Sequence, residues 1–239
     1  MMFSLITKCR CSLFNLFLFL SAISPSAQLT CKKNPSDAAW PSDAEWNALS
    51  TAINGTLIKT NPAAASCYAN STFISSFSCS IVSAEWTDAT FHAVLPESID
   101  FPLWTNRSCV PTGATGYPSV PRCNYGAYPR YVVNSTKNEE IATAVKWARD
   151  RNIRVVVKGI KVLITGAITS STGAYSLSIW THHFQNIEFM DSFQQAGGNA
   201  TYQAVRVGAG VRWGQVYALL ESAGRTVVGG GTTTVGLGK

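Results

Sequence analysis

The sequence contains no Cys-x-x-Cys and no His-x-x-x-His pair, the spacings that hold zinc, and histidine occurs only 3 times in 239 residues. A metal centre is therefore not expected. Charged residues are scarce, at 13%, and the net charge of +6 is spread among acidic side chains without a basic stripe interleaved by aromatics. Nucleic acid is thus not an expected partner. The apolar run Leu13 to Ile23 falls short of the roughly 20 residues a membrane-spanning helix needs. A Rossmann fingerprint is missing too, because Gly208-Ala209-Gly210-Val211-Arg212-Trp213 lacks a third glycine and no acidic residue follows at the usual distance. NAD is disfavoured on that ground.

What is present begins with a leader-like segment. Lys8 and Arg10, the apolar run, and Ser24-Pro25-Ser26-Ala27 follow the order of a secretory signal, so residues 1–27 read as a signal peptide. A retained signal anchor is the rival. Removal of that segment gives a secreted, extracellular chain with no membrane contact and five cysteines, Cys31, Cys67, Cys79, Cys109 and Cys123, expected to form disulfides. Five is odd, so one thiol is left over, and the pairing is open. Sequons at Asn54, Asn70, Asn106, Asn134 and Asn199 agree with secretion as a glycoprotein.

Residues 28–124 are rich in Pro, Ser, Asn, Cys and Trp and read as a loop-rich, disulfide-stapled extension. Its one clear helix starts at Ser42, where Ser42 and Glu45 make a capping box and Trp46, Leu49 and Ile53 share a face. Trp86, Phe91 and Trp104 are expected to be packing anchors. Residues 125–239 change in texture. Tyr131-Val132-Val133 predicts a strand, Thr136 with Glu139 a capping box, Ile141, Ala144, Val145 and Ala148 a helix, and Ile153 to Val157 a buried strand. That β-α-β unit ends at Lys158-Gly159. A second unit runs from Ala204 through the turn Gly208-Ala209-Gly210, a helix carrying Trp213, Val216, Tyr217 and Leu220, a C-cap at Gly224 and a strand at Thr226-Val227-Val228. It delivers the chain into a Gly/Thr run from Gly229 to Gly238.

Glycine turns at strand ends free backbone amides that can approach a phosphate, forming an anion cradle without a cationic side chain. The turn after Gly159 and the run from Gly229 to Gly238 are the candidates for such a cradle. Lys158 is placed to reach a phosphate, although a lysine at a strand end is more often solvated. His182 and His183 lie on the Trp180 to Phe184 run and are expected to pack or hydrogen-bond. His92 shows no acid or cysteine partner in the sequence.

Several segments carry a resemblance: Tyr128 to Asn134, Ala144 to Arg149, Asn152 to Gly159, Ser176 to Phe184 and Val207 to Val211. In order and spacing they resemble the flavin domain of the vanillyl-alcohol oxidase and p-cresol methylhydroxylase (PCMH-type) superfamily, nearest the berberine-bridge-like and isoamyl alcohol oxidases. The resemblance implies an α+β fold of two lobes with the second incomplete, FAD as cofactor, and transfer of electrons from an alcohol or sugar, a small-molecule substrate, to oxygen. It also implies cofactor contacts from Lys158, Gly159, Gly208, Gly210, Gly230, Gly231, Thr232, Thr234, Val235 and Gly236. The chain departs from the pattern in two places. Ile160 to Ser170 stands where the family has a loop whose histidine bonds the flavin, and this segment reads as retained intron or another gene-model error, with true divergence as the rival. Thr232 stands where bicovalent members have cysteine. No covalent attachment is therefore expected, no catalytic residue is carried over, and the chain reads as a truncated or mis-spliced form. A noncatalytic secreted glycoprotein with a decayed flavin fold, binding a carbohydrate or protein partner, is the alternative.

Overall fold

The computed structural model describes residues 31–99, 102–114, 121–159, 172–231, 233 and 235–238. The leader segment, the 160–170 segment, Thr232 and Thr234 lie outside the described residues.

Helix α1 (Asp43–Ala52) starts as its sequence dictates: the Glu45 carboxylate accepts from the Ser42 N–H at 2.9 Å, while the Ser42 hydroxyl accepts from the Glu45 N–H at 3.4 Å. Trp46, Leu49 and Ile53 are buried along one face. The chain then forms β1 (Leu57–Lys59), which pairs antiparallel with β2 (Tyr131–Asn134). Between them lie α2 (Cys79–Glu85), α3 (Ala89–Ala93) and two 3-10 turns.

After β2 come α4 (Asn138–Asp150), β3 (Arg154–Lys158) and β4 (Ser176–Trp180). The sheet order is β1-β2-β4-β3, with β4 parallel to both of its neighbours. The expected β-α-β unit therefore forms, but a third strand sits between its two strands. All five residues of β4 are buried, which suits the centre of a parallel sheet covered on both faces.

The cap of α4 differs from the expected one by a single residue. Glu140, not Glu139, reaches back, accepting from the N–H groups of Thr136 at 2.9 Å and Lys137 at 3.3 Å and from the Ser135 hydroxyl at 3.3 Å. Glu139 is exposed, whereas Glu140 is buried. Burial by itself would raise the Glu140 carboxyl, but these bonds and one from Asn54 hold it below the ordinary value. Ala144 and Ala148 of α4 close on Trp46, Leu49, Ile53, Val133, Leu177 and Ile179 to make the main core.

A second core holds the Cys109–Cys123 disulfide together with Val82, Trp86 and Tyr128, and a further disulfide joins Cys67 to Cys79. Phe91 and Trp104 pack against it, as anchors do. A third cluster joins a hairpin of β5 (Ile187–Gln194) and β6 (Thr201–Val207) to α5 (Trp213–Ser222) through Val211, Val216 and Leu220. Gly224 follows the α5 cap at φ +62°, as expected of a glycine terminator. Thr226 to Val228, however, is not a strand: Val228 is 99% exposed. A β-prone triplet needs a neighbour to take its backbone bonds, and among the described residues none makes a main-chain bond to it. Among the same residues, no helix is long and apolar enough to cross a membrane.

Candidate cofactor site

Because β2, β4 and β3 run parallel, their C-terminal ends share one edge of the sheet, the usual side for a ligand in such sheets. Four turns gather there. A Cβ placed on Gly159 would sit 3.2 Å from the Gly238 carbonyl oxygen, 3.4 Å from that of Ala209 and 3.7 Å from Thr181 Oγ1. The Thr181 N–H donates to the Lys158 carbonyl at 2.9 Å, joining the ends of β3 and β4. Gly208 and Gly210 donate to the carbonyls of Asn186 and Phe184, each at 2.8 Å. A Cβ at Gly208 would lie 2.1 Å from the Phe184 oxygen, so only glycine lets this turn lie against the segment after β4. Bonds from Trp213 N–H to the Val235 carbonyl (3.0 Å) and from Leu237 N–H to the Val211 carbonyl (2.9 Å) bracket a bridge between Arg212 and Gly236, and these fasten the Gly/Thr run to the same place.

The sequence-derived candidates thus divide. Gly159, Gly208, Gly210, Val235 and Gly236 come together. Gly230 packs on the Trp213 indole and its carbonyl accepts from Tyr217 Oη at 2.6 Å, while a Cβ at Gly231 would meet open space. Thr232 and Thr234 are outside the described residues. Lys158 is neither solvated nor turned to a glycine turn: it is buried, and its ammonium donates to main-chain carbonyls of residues 92–98. Strand β3 ends against that loop, which offers the ammonium a ring of acceptors. His92, without a visible partner in the sequence, is buried between Ser98 Oγ (2.7 Å) and the Trp86 carbonyl (2.8 Å).

His183 Nε2 lies 2.8 Å from Asn134 Oδ1, and the His182 ring stacks on Trp180 at 4.6 Å between centroids. Trp180 Nε1 and His182 Nδ1 are buried without a hydrogen-bond partner among the described residues. Burial first, then the positive fields of His183, Arg212 and Lys158, holds the His182 imidazole below its ordinary value. The sign follows from linkage: the unfolded chain takes up this proton at higher pH than the fold does, so stability falls as pH drops below about 6.5, the unperturbed value. His182→Asn is therefore expected to flatten the pH dependence of the thermal midpoint between neutral and mildly acidic pH. Identical slopes for the two proteins would refute this assignment.

The donor set tests which group the site suits. The N–H groups of Gly159, Ala209 and Gly238 meet no acceptor among the described residues. Backbone amides left without acceptors match a diphosphate, whose charge they can share without a paired lysine. The residues present therefore fit the diphosphate of a flavin dinucleotide, and Gly159, Ala209, Gly236 and Gly238 are the ones that would hold it. The amides of the expected contacts Gly208 and Gly210 are already taken by protein carbonyls, and their neighbour Ala209, with Gly238, stands in the donor set instead. Two side-chain contributors were also not foreseen from sequence, Thr181 and Arg212. Each has an ordinary side chain on an unremarkable run, and only the register of β4 and the bridge to Gly236 reveal its place.

Comparison with known proteins agrees with this geometry. The FAD binding domain family matches residues 129–238. The chain is 36% identical over 220 residues to the FAD-linked oxidoreductase ZEB1 of Gibberella zeae, covering 92% of this chain and 36% of that protein. It is 35% identical over 214 residues to the VAO-type flavoprotein oxidase VAO615 of Thermothelomyces thermophilus, covering 87% and 35%. The crystal structure of the VAO-type flavoprotein MtVAO615 from Myceliophthora thermophila superposes with a TM-score of 0.72 at 32% identity, over 87% of this chain and 36% of that one. The chain spans little more than a third of the length of these relatives. Fold, site and similarity agree: residues 129–238 match an FAD-binding domain, and over 87–92% of its length the chain is similar to VAO-type FAD-linked oxidoreductases.

Proposed function

We propose that this chain is the FAD-holding part of a secreted oxidase that takes electrons from an alcohol or a carbohydrate and passes them to oxygen. One observation carries the reading: the turns after β3 and β6 and the Gly/Thr run, far apart in sequence, bring amides without acceptors among the described residues to one edge of the parallel sheet. When bound, FAD supplies the two-electron acceptor that protein side chains lack. The residues of this chain bind and orient it: the amides of Gly159, Ala209 and Gly238 meet the diphosphate, and Arg212 adds positive potential. No residue is assigned as catalytic base. Secretion is supported by the leader-like order of residues 1–27, by the sequons and by the two disulfides. Residues 28–124 are proposed as a disulfide-stapled extension ahead of the flavin domain.

A second reading has its own support. The sequence has no histidine between Gly159 and Trp180, and threonine at position 232. A secreted glycoprotein that has kept the fold to bind a carbohydrate or a protein partner would look the same at these positions. Absorbance separates the two. The oxidase reading predicts that a full-length form with a histidine-bearing loop restored is yellow, absorbs in the flavin bands and releases peroxide with an alcohol or carbohydrate. A folded but colourless protein overturns it.

A further inference from the structure

Lys158, the last residue of β3, is 4% exposed, and its ammonium lies within a cage of main-chain carbonyls. Ser98 accepts at 2.7 Å, His92 and Pro96 each at 3.3 Å, and Leu95 completes the ring. A buried ammonium is tolerated only where its protons are satisfied, and here one short loop supplies the acceptors. That loop is itself held from below. The His92 ring is fixed between Ser98 Oγ and the Trp86 carbonyl, and Trp86 belongs to the core that holds the Cys109–Cys123 disulfide. The main chain of Lys158 points to another duty, since its carbonyl takes the Thr181 N–H and the next residue is Gly159.

We propose that Lys158 is a positioning residue: its caged ammonium fixes the end of β3, and with it the Gly159 and Thr181 turns, so that cofactor affinity depends on the loop of residues 92–98. The inference rests on the FAD reading given above. It assigns Lys158 a role through the main chain and not through a phosphate contact. It also gives the N-terminal region a part in the site that glycine turns alone do not reveal.

Hydrogen exchange of the full chain, followed residue by residue, tests the coupling without relying on activity. Lys158→Met is expected to raise exchange by about tenfold or more at residues 92–98, and also at residues 181–182 and 208–210, because a charge-assisted set of bonds is lost. His92→Ala loosens the same loop without touching β3, and keeps the test open if Lys158→Met does not fold. It is expected to raise exchange in the same turns by a smaller factor. Faster exchange confined to residues 92–98, with the turns as protected as in the parent chain, overturns the proposal. FAD titration supplies the second readout: weakening of about tenfold in Lys158→Met with partial rescue in Lys158→Arg is expected. Unchanged affinity in a parent chain that binds FAD also overturns the coupling, whereas a parent chain that binds no FAD defeats the functional reading and leaves the exchange result to decide the coupling.

Discussion

Replacing Gly208 by alanine is expected to destabilise the chain by about 3 kcal/mol or more, beyond the usual range for overpacking. The added methyl would fall 2.1 Å from the Phe184 carbonyl oxygen and 2.6 Å from its carbon, and neither belongs to a flexible side-chain end. Relief requires the turn to peel from residues 181–184. That movement also breaks the bonds from Gly208 to Asn186 and from Gly210 to Phe184, so the cradle opens along with it. If the variant folds by opening this turn, FAD affinity should fall by about a hundredfold, the factor corresponding to roughly 3 kcal/mol. Gly197, at φ +80° in the β5-β6 turn with nothing near its missing side chain, is the control for a general glycine effect. Its substitution by alanine is expected to cost about 1 kcal/mol and to leave FAD affinity unchanged. Equal affinity losses in the two variants would show that turn packing is not the cause.

The second large effect belongs to Trp46. The side chain is 2% exposed, stacks on Tyr131 at 4.1 Å, and contacts Trp147 at 4.5 Å and Trp40 at 5.9 Å between centroids. It plugs the space between α1, α4 and the start of β2. Trp46→Ala should cost about 3–5 kcal/mol, which for a chain of this size lowers the thermal midpoint by on the order of 10 °C. Its indole N–H is buried without a hydrogen-bond partner among the described residues. Trp46→Phe removes that unsatisfied donor while keeping most of the ring stacking, so it should cost less than about 1.5 kcal/mol. A phenylalanine variant as unstable as the alanine variant would mean that the indole nitrogen makes a bond absent from the structure. Differential scanning calorimetry of the three proteins distinguishes these outcomes.

The parts of the fold that were legible in sequence are those governed by neighbours in the chain. Ser42 with Glu45, the 3.6-residue spacing of Ala144 and Ala148, and the β-branched run Ile153 to Val157 each fix an element through local chemistry, although β3 lies at the sheet edge with Arg154 and Val157 exposed and is not the buried strand expected. The glycine turns were legible for a similar reason, since Gly208 and Gly210 interrupt a regular strand-to-helix passage. What was not legible depends on residues far apart. The insertion of β4 between β2 and β3 is settled by parallel pairing across more than forty residues of sequence from Tyr131 to Leu177. Hairpin strand β5 escaped notice because its burial follows no clean alternation, with only Ile187 and Met190 half-buried. Glu140 displaced Glu139 as the cap because only the former is turned in to the 135–137 turn, where it is buried. Thr226 to Val228 has strand-forming residues but no partner among the described residues.

Lys158 shows the same division at the site. In sequence, a lysine before a glycine turn suggests a phosphate ligand or a solvated end. The alternative, burial within carbonyls of a loop some sixty residues earlier, is invisible until the chain is folded. The glycine cradle was readable because backbone conformation is written locally, whereas the side chains around it were not.

The most direct measurement is titration of FAD into nitrogen-15-labelled chain, following each backbone amide. Saturable shifts largest at Gly159, Ala209 and Gly238, lost in Gly208→Ala and reproduced by ADP, are the expected result, because those three amides meet the diphosphate and the flavin ring is not needed for their contacts. FAD binding that leaves these amides unmoved while shifting others, or a folded chain whose amides do not respond to either nucleotide, would contradict the assignment of this cluster as the cofactor site.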